Sequence, residues 1–122
     1  MNCLFCNPND EDIILKNLHG YARYDGYPVS PGHLLIIPFR HVSSLFELSD
    51  EEVGGLWSLV KEGRTSLNEN FHPDGFNVGV NVGEAAGQTV FHVHIHLIPR
   101  YHGDVENPKG GVRGVIPGKM GY

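Results

Sequence analysis

His92, His94 and His96 alternate with Val93, Ile95 and Leu97. On an extended strand, residues two apart lie about 6.8 Å from each other on one face, so this spacing predicts a row of three imidazoles. Three neighbouring imidazolium ions would repel one another, and near neutral pH at least some of these rings must be neutral. A neutral ring can attack phosphorus, while a charged neighbour donates to the phosphoryl oxygens. That division of labour suits phosphoryl or nucleotidyl transfer. The spacing serves a second chemistry as well, because His-x-His on a strand also chelates zinc or iron.

Cys3 and Cys6 form a C-x-x-C pair. A disulfide is disfavoured in a reducing cytosol. A thioredoxin-like redox pair would need a strand before it and a helix after it, and neither is legible here. Half of a zinc site would need two further ligands.

The elements that must position these groups follow from periodicity. Ile13 to Leu18 and Tyr21 to Tyr24 read as short strands around a turn at His19-Gly20. Pro28, Pro31 and Gly32 mark a tight connection, and His33 to Pro38 is an apolar strand. Ser49 and Glu52 have the spacing of a capping box. Val53, Leu56, Trp57, Val60, Leu67 and Phe71 then recur at helical spacing, with Arg64 on the same stripe. Together they predict one amphipathic helix of about twenty residues. Gly54, Gly55 and Gly63 each weaken that helix by about 1 kcal/mol relative to Ala, so packing must hold it. Phe76 to Val82 and His92 to Pro99 alternate as strands, each with one apolar and one polar face. Strands, one helix, then strands indicate an α+β fold with a mainly antiparallel five-stranded sheet.

The chain has 122 residues, 40% hydrophobic and 19% charged, which suits one soluble domain. That domain spans 1–122, with a core over about 3–101 and an irregular Gly- and Pro-rich tail over 102–122. No apolar run approaches the ~20 residues needed to cross a membrane. Met1-Asn2-Cys3 does not open a signal-peptide pattern, so a cytoplasmic location is expected. The net charge is −5 and the nine Lys and Arg residues are scattered, which argues against polymeric nucleic acid as a partner.

Gly87-Gln88-Thr89-Val90-Phe91 leads into the His92–His96 run, and this stretch resembles the signature of the histidine triad family. Pro31-Gly32-His33-Leu34-Leu35-Ile36-Ile37-Pro38 resembles the family's other characteristic strand. The resemblance implies hydrolysis at the α-phosphate of dinucleoside polyphosphates or nucleoside phosphoramidates. It implies His94 as the nucleophile that carries a covalent nucleotidyl group, and His96 as the group that supports charge on the phosphate. Gln88 and Thr89 match residues at the phosphate and the departing group, and His33 matches a supporting histidine. Asp25 and Asn81 match nucleotide-binding positions, Asp25 at the ribose. Histidine rather than glutamine at position 96 is the hydrolase pattern, unlike the uridylyltransferase relatives.

Members that begin with C-x-x-C imply a structural zinc held by Cys3, Cys6, His41 and His92, with no metal needed in the catalytic step. The family also implies a purine nucleotide or dinucleotide as substrate and a homodimer. Two other functions compete: a nucleotide-binding regulator with incidental catalysis, and a metal-dependent enzyme with the histidines as ligands. His19 and His72 are expected at the surface. Arg100 and His102 follow the triad strand, close enough to touch a leaving group or to be solvated.

Overall fold

The computed structural model describes residues 3–122. Five strands, β1 (Leu15–Lys16), β2 (Gly20–Tyr24), β3 (Leu34–Pro38), β4 (Gly75–Val80) and β5 (Ile95–Arg100), form one sheet in the order β1-β2-β3-β5-β4. Every pairing is antiparallel, and one long helix, α1 (Asp50–Asn70), connects β3 to β4. This is the α+β architecture expected from the periodicity.

Ser49 caps α1 as the sequence indicates: its hydroxyl accepts from the Glu52 amide, and the Glu52 carboxylate accepts from the Ser49 amide. The Arg40 guanidinium and the Ser49 amide hold the Glu52 carboxyl down to about 2. The helix buries Leu56, Leu59, Val60, Gly63 and Leu67. The expected stripe is therefore rotated, since Trp57 stays half exposed and Leu59 takes the inner position. Gly63 explains the rotation. A Cβ there would come within 3.1 Å of Leu34 and Leu97, so the missing side chain lets the helix backbone settle onto the sheet.

Ala22, Leu34, Ile36, Ile95 and Leu97 pack under the helix, and Phe5, Tyr21, Leu35 and Ile37 form a smaller cluster on the opposite face. Along β5 the alternation holds: Ile95, Leu97 and Pro99 are buried while His96, Ile98 and Arg100 are less so. The helix-free face is the one on which the histidines gather.

The strands are shorter than their sequence patterns. The predicted Ile13–Leu18 strand is reduced to β1, and Asn81 and Val82 lie beyond β4. His92 and His94 precede β5, and the reason is local. Continuing the β3–β5 ladder past the Ile36–Ile95 pair would bring Pro38 beside Val93. Pro38 has no N–H to offer, and its carbonyl is taken by the His92 ring at 2.7 Å. The Val93 amide bonds the Val42 carbonyl instead, at 2.8 Å. The tail is also more ordered than its composition suggests. It forms a 3-10 helix over Gly111–Val115, entered through Gly110 at φ 94°, and Arg113 bonds the Lys119 carbonyl at 3.1 Å.

Candidate functional site

The early end of β5 splits the triplet, so the expected row of three imidazoles on one strand face does not form. His92 is fully buried and turns towards the amino-terminal segment. Its Nε2–H donates to the Pro38 carbonyl, which leaves Nδ1 as the lone pair. That atom lies 3.3 Å from Cys3 Sγ and 3.5 Å from Cys6 Sγ, and Cys6 Sγ is 3.1 Å from His41 Nδ1. All four ligand atoms fall within 4.8 Å of one another.

A tetrahedral zinc with ordinary Zn–S and Zn–N bonds sets sulfur and nitrogen about 3.6 Å apart, so the spacing fits. The orientation fits too, because a metal-binding imidazole needs its second nitrogen fixed by a hydrogen bond, as Pro38 fixes that of His92. The Cys3 thiol beside it pushes the Cys6 thiol up, a penalty that a divalent cation reverses. The donor set is thus complete, with four protein ligands and no open position.

His94 faces the other way. Its Nδ1–H donates to the carbonyl of His92 at 3.0 Å, leaving Nε2 as a free lone pair. Its ring packs edge-on against Phe5, with centroids 5.2 Å apart, and against His96 at 5.1 Å. Phe5 lies between the two cysteines, and the buried Tyr21 hydroxyl donates to its carbonyl at 2.7 Å. Burial raises Tyr21 to about 12, so its hydroxyl keeps the proton that it donates.

His96 and His33 form a proton-ordered chain. The Val29 amide donates to His33 Nδ1 at 3.2 Å, which places the His33 proton on Nε2. That N–H donates to His96 Nδ1 at 2.9 Å. A neutral His96 therefore carries its own proton on Nε2, as a donor. Burial is the main cause that lowers both rings, His96 to about 4, with the neighbouring His94 and His33 adding to it for His96. Asp25 opposes that fall, with Oδ2 3.5 Å from His33 Nε2, while its Oδ1 accepts from the Tyr27 amide. Asp25, His33 and His96 could in principle group around a metal. The Val29 amide works against it, since a ligating Nε2 would require the proton on the nitrogen that already accepts.

Asn81, Thr89 and Gln88, also singled out in the sequence, lie in three different settings. Asn81 borders a cavity that His33 and His96 also line. Thr89 is exposed and borders the space beside Cys3, His41 and His92. Gln88 is buried, and its amide is fully occupied: Oε1 accepts from Gly83, and Nε2 donates to the carbonyls of Ser43 and Val90. The side chain braces the loop ahead of His92. Arg100 is held by Asp104 and Asn77, and His102 is exposed. His19 is half-buried against Gly55 rather than free at the surface.

Phe5 and Val29 carry no titratable group, and periodicity alone does not single them out. The position of Phe5 inside the C-x-x-C pair is the one signal that ties it to the site.

Among curated proteins, a bis(5'-adenosyl)-triphosphatase of Dictyostelium discoideum is 44% identical over 96 residues, covering 79% of this chain and 64% of the relative. An AP-4-A phosphorylase of Mycobacterium tuberculosis is 40% identical over 99 residues, covering 79% of this chain and 51% of the relative. The chain thus spans about half to two thirds of these two proteins. A zinc-bound histidine triad family protein of Mycobacterium smegmatis superposes with a TM-score of 0.75 at 34% identity, covering 84% of this chain and 77% of that one. The family model described as HIT domain matches residues 7–103, most of the sequence and all five strands, and the chain belongs to that family.

Proposed function

We propose that the protein hydrolyses nucleotides at the α-phosphorus through a covalent nucleotidyl group on His94, with dinucleoside polyphosphates or nucleoside phosphoramidates as substrates. The observation that carries this reading is the opposite tautomer setting of two neighbouring rings. The His92 carbonyl fixes the proton of His94 on Nδ1 and frees Nε2 to attack. His33 fixes the proton of His96 on Nε2, where it serves as a donor to a phosphoryl oxygen.

In the first step the Nε2 lone pair forms an N–P bond. The bond from phosphorus to the departing oxygen or nitrogen breaks, and its electron pair leaves with that atom. In the second step water forms the new P–O bond, the N–P bond breaks, and a nucleoside monophosphate is released. The His96 N–H stabilises charge on the phosphoryl oxygens in both steps. Asp25 Oδ2, beside His33, would accept from ribose hydroxyls, and Asn81 would meet the nucleotide from the cavity that His33 and His96 line. The names of the Dictyostelium and Mycobacterium relatives support a diadenosine polyphosphate as one substrate.

Cys3, Cys6, His41 and His92 would hold zinc as a closed structural site, which fastens the amino-terminal segment to the sheet. The outer edge of β4, which pairs with no other strand among the described residues, supports a homodimer joined across it.

The test is intact-protein mass spectrometry after a brief acid quench with diadenosine tetraphosphate and, separately, adenosine phosphoramidate. An adenylyl adduct that is absent in His94→Ala is the expected outcome. Absence of both adduct and AMP with either substrate would overturn the reading.

A further inference from the structure

The Val29 amide sets the proton order of the His33–His96 pair, yet the side chains around it do not hold it in place. Val29 is 71% exposed and Tyr27 91%, so the loop between Asp25 and His33 gains no anchor by burying them. Bonds inside the loop fix its shape. The Asp25 amide donates to the His33 carbonyl at 2.9 Å, and the His33 amide to the Ser30 carbonyl at 3.2 Å. The position of the loop against the sheet comes from β5.

That strand outruns β3. Their ladder ends at the Leu34–Leu97 pair, whereas β5 continues to Arg100. The Arg100 carbonyl accepts from the Asp74 amide at 2.8 Å on the β4 side. The Pro99 carbonyl points the other way, past the end of the β3 ladder, and a buried carbonyl needs a donor. The Ser30 hydroxyl supplies it at 2.7 Å. Tyr101 then reaches back across the same gap, and its hydroxyl donates to the Pro31 carbonyl at 2.7 Å. Burial raises the Tyr101 phenol, so this proton stays in place. Two side-chain bonds, one in each direction, thus tie Ser30 and Pro31 to the strand that carries His96.

Resting on the hydrolase reading, we propose that Ser30 and Tyr101 are positioning residues: they fasten the Val29–Pro31 turn to β5, keep the Val29 amide on His33 Nδ1, and so keep a proton on His96 Nε2. With that amide withdrawn, His33 can carry its proton on Nδ1. Its Nε2 then accepts, His96 Nδ1 must donate, and His96 Nε2 has no proton to offer a phosphoryl oxygen. One displaced amide reverses two rings, each still holding one proton. Asp25, 3.5 Å from His33 Nε2, favours the native order, so losing both ties gives a mixture of the two orders.

Nitrogen NMR of histidine-labelled protein purified with zinc reads the tautomers directly, and steady-state turnover of diadenosine tetraphosphate reads their effect. The variants are Ser30→Ala, Tyr101→Phe and the two combined. Ser49→Ala is the comparison, since it removes the α1 cap and lowers stability far from the loop. In wild type, His33 and His96 should both show a protonated Nε2 and a lone pair on Nδ1. The double variant should draw the two nitrogen shifts of each ring together and lower kcat about tenfold, with KM within about twofold. Each single variant keeps one tie and should show the same change to a smaller degree. Ser49→Ala should show neither effect. Unchanged nitrogen shifts in the double variant would overturn the proposal even if kcat fell, and so would an equal change in Ser49→Ala. Tautomers that respond to the ties in a protein that hydrolyses neither diadenosine tetraphosphate nor adenosine phosphoramidate would remove the hydrolase reading and leave the positioning role standing.

Discussion

His92 and His94 are two residues apart, yet one joins the two thiols in a group that could hold a metal and the other faces away from them with a free ring nitrogen. The difference is which ring nitrogen the backbone claims. Pro38 takes Nε2 of His92, so Nδ1 is presented to the thiols. The His92 carbonyl takes Nδ1 of His94, so Nε2 is presented to the open face of the sheet. Burial deepens the contrast, since His92 is fully enclosed while His94 keeps some access. Identical side chains acquire different chemistry from one hydrogen bond each.

The largest effect should come from removing the free nitrogen. His94→Ala should lower turnover roughly 10⁴-fold or more in a steady-state assay, with metal content unchanged. If zinc were lost as well, the two clusters would not be separable. The converse change comes next. Cys3→Ser with Cys6→Ser should abolish bound zinc, measured by elemental mass spectrometry, and lower unfolding stability by about 3 kcal/mol in denaturant melts. Turnover should fall but persist, because His94 and His96 remain.

A smaller effect should follow from the relay. His33→Ala leaves His96 Nδ1 without its donor and should reduce kcat about thirtyfold, with zinc retained. The smallest is read in pH. His96 titrates in the fold at about 4, against about 6.5 in an unfolded chain, and His33 is lowered too. Between those values the unfolded chain takes up protons that the fold refuses. Stability is therefore full above about 6.5 and declines as pH falls towards about 4, by on the order of 1–2 kcal/mol from this source. His96→Asn should flatten that part of the profile.

Local rules made much of the fold legible. Ser49 and Glu52 announced the start of α1, and alternation announced β4 and β5. The strand ends were not legible, because they depend on partners distant in sequence. Nothing near His92 indicates that Pro38 will claim its ring, or that Val42 will claim the next amide. The helix face was misjudged at Trp57 because a glycine registers in periodicity as a weakness. At Gly63 it is the contact point. The residue types of the candidate site were visible in the His and Cys spacing; spacing alone did not divide them, and their division into two groups rested on the family resemblance. Gln88 shows the same limit: nothing around it in the sequence indicates that its amide will bond the Ser43 carbonyl, 45 residues away.

The sulfur–imidazole cluster joins positions 89 residues apart, Cys3 and His92. The two thiols precede β1 to β4 and the long helix in the chain, and their buried partner follows them. A metal held by all four ligands would therefore wait for His92 to be made. Because β5 lies between β3 and β4, His92 and the strand that follows it complete the ligand set and the sheet together, and a clipped chain ending before His92 would display two thiols without the imidazole that completes their set.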